Sequence, residues 1–369
     1  MPSPRSFSRI VTRCRQGARW MVLACLLAAS TAAAQGRDST AARAALWPVK
    51  TREFVDLWLH GFALLSDDSS RVPLFRPGYR DAIAVEKNRR NLVTDLDANA
   101  AVLRARLVAQ PSLANAQFAV LAFESDDELT RGLEAFLASN GEPRRARTAQ
   151  EQQMVAYLAG YFPSADDREF ARRFTNALAS ERTQFFHAWW TDEQRRRAGA
   201  LAAVDSLWQG VLRPALARFL GVTKQNGGSL VLALPLEGEG RTALFGPRQN
   251  VIVAPLPERA DEAAEALYVA AHELVGAVTG PVIEDNVTPA QKRAGEAERL
   301  SAVATVRGGL MLLQRAAPSL AEGYARFYLR VARVPGDGDP LAALERAFPL
   351  PAGMAESLRR QIDLSFGGI

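Results

Sequence analysis

Glu265-Ala266-Leu267-Tyr268-Val269-Ala270-Ala271-His272-Glu273-Leu274-Val275-Gly276 is an apolar helix carrying one His-Glu pair. Upstream of it the periodicity changes. From Gly227-Gly228 onward, Leu230, Leu232 and Leu234 alternate with residues of the opposite face, as in a strand. Glu237-Gly238-Glu239-Gly240 reads as a turn, Arg241 to Phe245 as a second strand and Asn250 to Ala254 as a third, with Pro255 and Pro257 ending the run. These three strands predict a small antiparallel sheet or meander. Downstream, the periodicity predicts helices over about Asp261 to Gly276, Pro289 to Arg315 and Pro318 to Val334, then two short ones.

Working further outward, the region before the sheet is helical. Phe54, Leu57, Trp58, Phe62 and Leu65 recur at three and four within a helix expected from Ala44 to Ser66. Val85, Leu92, Leu96, Leu103 and Leu107 mark the buried stripe of one long helix from about Asp81 to Ala109. Asp126 to Ala138 has acids in its first turn and Asn140-Gly141 as its stop. Gly141 to Thr148 is the linker candidate. The aromatic cluster Phe185-Phe186-His187-Ala188-Trp189-Trp190 reads as core, with His187 a packed or hydrogen-bonded core histidine. The expected fold class is therefore α+β and mostly α-helical. Residues 35–145 and 146–225 form helical regions, and 226–369 hold the sheet, the His-Glu helix and the C-terminal helices.

The first residues have a different character. Arg5, Arg9, Arg13, Arg15 and Arg19 precede an apolar run from Trp20 to Ala29 and Ala32-Ala33-Ala34, with no acid among them. That is a basic n-region, a short h-region and an A-x-A cleavage site, so residues 1–34 are expected to be a secretory signal peptide. The run is too short for a membrane span, which needs about 20 apolar residues. A lipoprotein anchor at Cys25 would need the imperfect lipobox Val22-Leu23-Ala24 and would leave almost no h-region. Cleavage after Ala34 removes five arginines and both cysteines, Cys14 and Cys25, and leaves a mature chain with no net formal charge. The expectation is a periplasmic or secreted protein without disulfides, without a membrane span and without a positive field for nucleic acid. With 48% hydrophobic and 23% charged residues, the chain has ample material for a core, which excludes a wholly disordered protein.

The His-Glu pair carries the chemistry. In an H-E-x-x-H helix two histidines one turn apart share a face and bind zinc, and the Glu acts as general base on the metal-bound water. Here the first His and the Glu are present, and Gly276 stands where the second His would be. No G-x-S-x-G elbow, P-loop, dinucleotide fingerprint or C-x-x-C is present.

The order of sheet, His-Glu helix, loop and a helix bearing Glu296 and Glu298 resembles the gluzincin metallopeptidases over about residues 226–334. The resemblance implies His272 as first zinc ligand, Glu273 as general base and Glu298 or Glu296 as the downstream ligand. It also implies an edge strand along the substrate, here Asn250 to Ala254. Tyr324 and Tyr328 lie where some such enzymes place a transition-state hydrogen-bond donor, although aromatic residues packing a helix would look the same. Gly276 departs from the pattern. One His and one carboxylate hold zinc weakly unless His187, His60 or Asp285 supplies a third ligand.

Three readings follow. The chain is an exported metallopeptidase-like protein that has lost zinc and catalysis and acts as a binding or scaffold protein, the former substrate groove offering a place for a peptide or protein, with no cofactor. Alternatively it is an active zinc peptidase with a rearranged third ligand. Alternatively it is an unrelated exported helical protein in which His272 is a satisfied helix-interface residue.

Overall fold

A computed structural model describes residues 47–66, 74–246, 248–335 and 338–367. The expected signal peptide and the leader after it lie outside the described residues. The chain is an α+β protein, mostly helical, with one four-stranded sheet. The strands are β1 (Val49–Lys50), β2 (Gly228–Ala233), β3 (Arg241–Leu244) and β4 (Asn250–Pro255), in the order β1-β2-β4-β3.

The sheet is mixed, which corrects the antiparallel expectation. β1, β2 and β4 run parallel, and only β3 is antiparallel, on β4. The strand positions are as the alternation predicts, but β2 pairs with β4 rather than with its sequence neighbour β3. The side chains supply the reason. Leu230 to Ala233 and Val251 to Ala254 are apolar on both faces and fully or almost fully buried, which suits the centre of a sheet covered on both sides. β3 is only partly buried and takes the edge.

Each face of the sheet meets a separate hydrophobic core. Val231, Ala233, Val251 and Val253 face helices α1 (Glu53–Leu65), α2 (Tyr79–Arg89), α3 (Asp95–Ala109), α4 (Asp126–Ala138), α5 (Ala149–Tyr161) and α6 (Ala165–Glu181). Leu230, Leu232, Ile252 and Ala254 face the other core. That core holds α8 (Ala198–Leu207), which follows α7 (His187–Arg196), and α9 (Ala263–Leu274), α10 (Gly276–Asn286), α11 (Glu296–Ala316), α12 (Ala321–Val331), α13 (Pro340–Ala347) and α14 (Ala352–Ser365). The change of side comes around α7. The Gly141–Thr148 stretch contains a 3-10 turn, Pro143–Arg145, and α4 and α5 pack on each other across it.

Several element boundaries differ from expectation for local reasons. Trp47 is buried and Val49–Lys50 pair with β2, so the first helix starts at Glu53. The single helix expected over 81–109 is two. Asn91 adopts φ 51, and Thr94 opens α3 with a capping box to Asp97. Val85, placed in the buried stripe, is 51% exposed. The helical run Ala260–Asn286 is long and apolar enough to cross a membrane, yet 67% of its most apolar window is buried in this fold.

Candidate functional site

The His-Glu helix α9 lies under the sheet with Ala266, Leu267, Val269, Ala270 and Ala271 fully buried. This leaves His272 and Glu273 half-buried at its C-terminal end. The His272 ring stacks on Tyr328 of α12, with centroids 5.0 Å apart and planes at 22°. Tyr324 packs against Tyr328 at 4.6 Å, and its hydroxyl donates to Val306 O at 3.0 Å. The Tyr328 hydroxyl is buried beside that of Tyr324, with which it interacts. Its pKa is pushed well above the ordinary value, first by burial, then by Tyr324, Glu273 and Glu239. Burial and then the Glu273 charge raise Tyr324 likewise. Glu239, in the turn before β3, therefore belongs to the same neighbourhood as the His-Glu pair.

Gly240 couples the edge strand to this helix. A Cβ there would stand 2.7 Å from Val269 Cγ1 and closer still to the Val253 carbonyl, so only glycine lets β3 lie this low over α9. Thr242 is directly opposite Ile252, which faces the α9 core, so Thr242 shares that face. Arg241 points the other way, with its guanidinium over the Phe118 ring at 5.2 Å. The edge strand beside α9 is thus β3, Arg241–Leu244; Asn250 to Ala254 is an interior strand paired on both sides.

The edge has a defined polarity. Phe245 N–H donates to Gln249 O at 3.2 Å, and the ladder places Ala243 opposite Val251 and Arg241 opposite Val253. In an antiparallel pair, bonded and non-bonded positions alternate. The N–H and C=O groups of Thr242 and Leu244 therefore point away from β4, along the open edge.

The carboxylates expected to complete a zinc site are placed elsewhere. The helix does not stop near Gly276. After an irregular step at Val275 it continues as α10 to Asn286. The return helix α11 then meets this run where Gly308 lies against Val275 and Thr279. Glu298 precedes Gly308 by about 15 Å of helix rise, and Glu296 by about 18 Å. Both sit in the first turn of α11, toward the far end of α10 from His272. The α11 residues around the Gly308 contact are Arg307-Gly308-Gly309-Leu310-Met311, with no carboxylate among them.

The other candidate ligands are also dispersed. His60 is fully buried in the opposite core, Asp285 is exposed near the end of α10, and His187 Nδ1 is 3.1 Å from Glu53 Oε1. The His187 side chain is 64% exposed, so it is hydrogen-bonded but is not a core residue. Among the described residues, no three His, Cys, Asp or Glu side chains converge as metal ligands. Gly276 offers no donor atom. The residues around His272 do not fit a catalytic zinc, which takes three protein ligands.

A second polar cluster, invisible to motif reading, lies in the N-terminal layer. His60 Nε2 donates to Glu181 Oε1 at 3.0 Å, and the Tyr79 hydroxyl is 2.9 Å from His60 Nδ1. Lys87 Nζ donates to Glu181 at 2.7 Å and to Asp97 at 2.9 Å, and Thr94 bonds the same Glu181 oxygen. His60, Glu181 and Lys87 are all buried. Burial by itself would raise the Glu181 carboxyl, but His60 and Lys87 outweigh it and hold the pKa at about 2. Burial lowers that of His60. The ionised forms Lys87⁺ and Glu181⁻ and a neutral His60 satisfy every bond. The cluster has the character of a structural core.

No protein-family model, curated protein or solved structure matches the chain.

Proposed function

We propose that this chain is a metallopeptidase-like scaffold that has lost the zinc centre and binds an extended peptide segment along β3. One observation carries this reading. The outward N–H and C=O groups of Thr242 and Leu244 form an open strand edge beside the helix that holds His272 and Glu273. Adding a strand to such an edge supplies main-chain hydrogen bonds, and pockets for alternate side chains supply selection. The scatter of His60, His187, Asp285, Glu296 and Glu298 away from His272 supports a binding role over zinc-dependent hydrolysis, because among the described residues no second and third ligand stand beside His272.

The test is selection from a displayed library of random dodecapeptides on the mature chain, followed by Thr242→Pro. Proline at 242 removes an outward N–H and leaves the β3–β4 ladder intact. The expected result is a set of enriched peptides whose binding is lost in Thr242→Pro at unchanged melting temperature. No enrichment over a blank support, or full binding to Thr242→Pro, overturns the reading.

A further inference from the structure

We infer that a slot between β1 and the α7–α8 face is a second binding site, which takes a short extended peptide with free ends, its ammonium at Asp205 and its carboxylate at Gln194. β1 and β3 are opposite edges of the sheet, so this site is separate from the edge proposed to bind a peptide along β3.

The slot has a volume of about 500 Å³, the size of a small-ligand site. Chain path and side-chain size create it. α7 and α8 continue one another, because Arg197 N–H donates to Glu193 O and Leu201 N–H to Arg197 O, each at 3.0 Å. β1 runs antiparallel to them and is pinned at both ends. At one end Trp47 O accepts from Trp208 Nε1 at 3.0 Å and from Gln209 Nε2 at 2.8 Å. At the other, Glu53 Oε1 lies 3.1 Å from His187 Nδ1. Between the pins the helical face carries Ala198 and Ala202, too short to close the gap to Val49 and Thr51. Leu201 and Trp190 add apolar wall, and the Trp190 ring is fixed by its bond to Asp56 at 2.7 Å.

Three polar features define the occupant. Gln194 lines the slot, and its Nε2 is buried with no hydrogen-bond partner among the described residues. Such a donor costs stability and is explained best by a ligand that supplies an acceptor. Asp205 lies about 16 Å further along the helical run. It accepts a hydrogen bond of 3.4 Å from Gln209 Nε2 and takes part in no ion pair among the described residues. The cations of this run are engaged elsewhere, Arg197 with Glu193 and Glu258, and His187 with Glu53. Asp205 is therefore open to a cation from the ligand. The third feature is the strand edge. Leu230 N–H donates to Pro48 O at 3.0 Å while Val49 stands opposite Leu230. Alternate residues bond across a parallel pair, so the N–H and C=O of Val49 point away from β2 on the side of the slot.

An extended chain rises about 3.3 Å per residue, so four or five residues span the distance from Asp205 to Gln194. Its ammonium then pairs with Asp205, its carboxylate accepts from Gln194 Nε2, and its amides meet Val49 in parallel strand pairing. Small side chains suit the narrow wall at Ala198 and Ala202. An unbranched ω-amino acid of the same length has the two charges but no amides, and leaves Val49 unpaired.

The experiment is isothermal titration of the mature chain with penta-alanine, its N-acetylated form and that ω-amino acid. Penta-alanine is expected to bind, and N-acetylation to weaken binding about tenfold or more, the scale of a charge-assisted bond. In Asp205→Asn the N-acetyl penalty falls below about twofold, and Gln194→Leu weakens penta-alanine about threefold or more. Ala202→Leu, at an exposed helical position, fills the slot and abolishes binding at unchanged melting temperature. No binding of penta-alanine, equal binding of its N-acetylated form, or full binding to Ala202→Leu overturns the inference. Equal binding of the ω-amino acid overturns the assignment to a peptide. Each of these failures leaves the reading at β3 standing, since that reading is tested through Thr242→Pro.

Discussion

Removing the cation from the N-terminal polar cluster is expected to destabilise that layer severely. Lys87 is buried, and its Nζ lies 2.7 Å from Glu181 Oε2, itself fully buried. In Lys87→Met the Glu181 carboxylate keeps His60 and Thr94 but loses the buried ammonium that pairs with it. Breaking a buried pair from one side costs about 3–5 kcal/mol, a large fraction of the stability of a typical domain. Glu181→Gln strands the ammonium less completely, because Asp97 still accepts at 2.9 Å, so about 2–3 kcal/mol is expected. The double variant Lys87→Met/Glu181→Gln removes both charges while Gln still accepts from His60. It should be about 2 kcal/mol more stable than the sum of the single losses predicts. The assay is urea unfolding followed by tryptophan fluorescence, since Trp58 in the same core is 1% exposed. Single losses below about 1 kcal/mol, or strict additivity, would refute the coupled network.

Acid should weaken the same layer in two stages. Both His60 and Glu181 have pKa values depressed by folding. The stability each contributes is present above its unfolded pKa and is lost as pH falls toward its folded pKa. The urea midpoint is expected to drop below about pH 6.5 through His60 and again between about pH 4.5 and 2 through Glu181. A midpoint that rises on acidification through both windows contradicts this. Trp190→Phe removes the donor that bonds Asp56 Oδ2 at 2.7 Å, where a buried carboxyl already sits at about pKa 7 mainly through desolvation. A loss of about 1–3 kcal/mol in thermal or urea unfolding is expected, and no loss would show the bond to be dispensable. Gly276 has open space where a Cβ would go. Gly276→His should therefore fold, but with no third ligand among the described residues beside positions 272 and 276 it should not hold stoichiometric zinc. One equivalent of zinc by mass spectrometry would refute the dispersed placement of the candidate ligands.

Much of the fold is written locally. The helix Asp126–Ala138 follows from Ser125 as cap, its acidic first turn and the left-handed pair Asn140 and Gly141. The strands around Leu230, Thr242 and Ile252 follow from alternation and turn residues, and the His-Glu helix follows from its apolar spacing. Each of these signals spans a few residues, so each can be read in sequence. The mixed strand order arises from competition for the doubly covered centre of the sheet, which only the two assembled cores impose. His60, Lys87 and Glu181 carry no motif because their contacts join α1, α2 and α6. The placement of Glu296 and Glu298 is another case. Gly276 reads as an ending, but packing carries the helix on to Asn286. With Gly308 against Val275 and Thr279, the first turn of α11, which carries Glu296 and Glu298, lies toward the far end of α10 from His272. Spacing along a chain gives the reach of a side chain only when the path between is known, and here tertiary packing set the path.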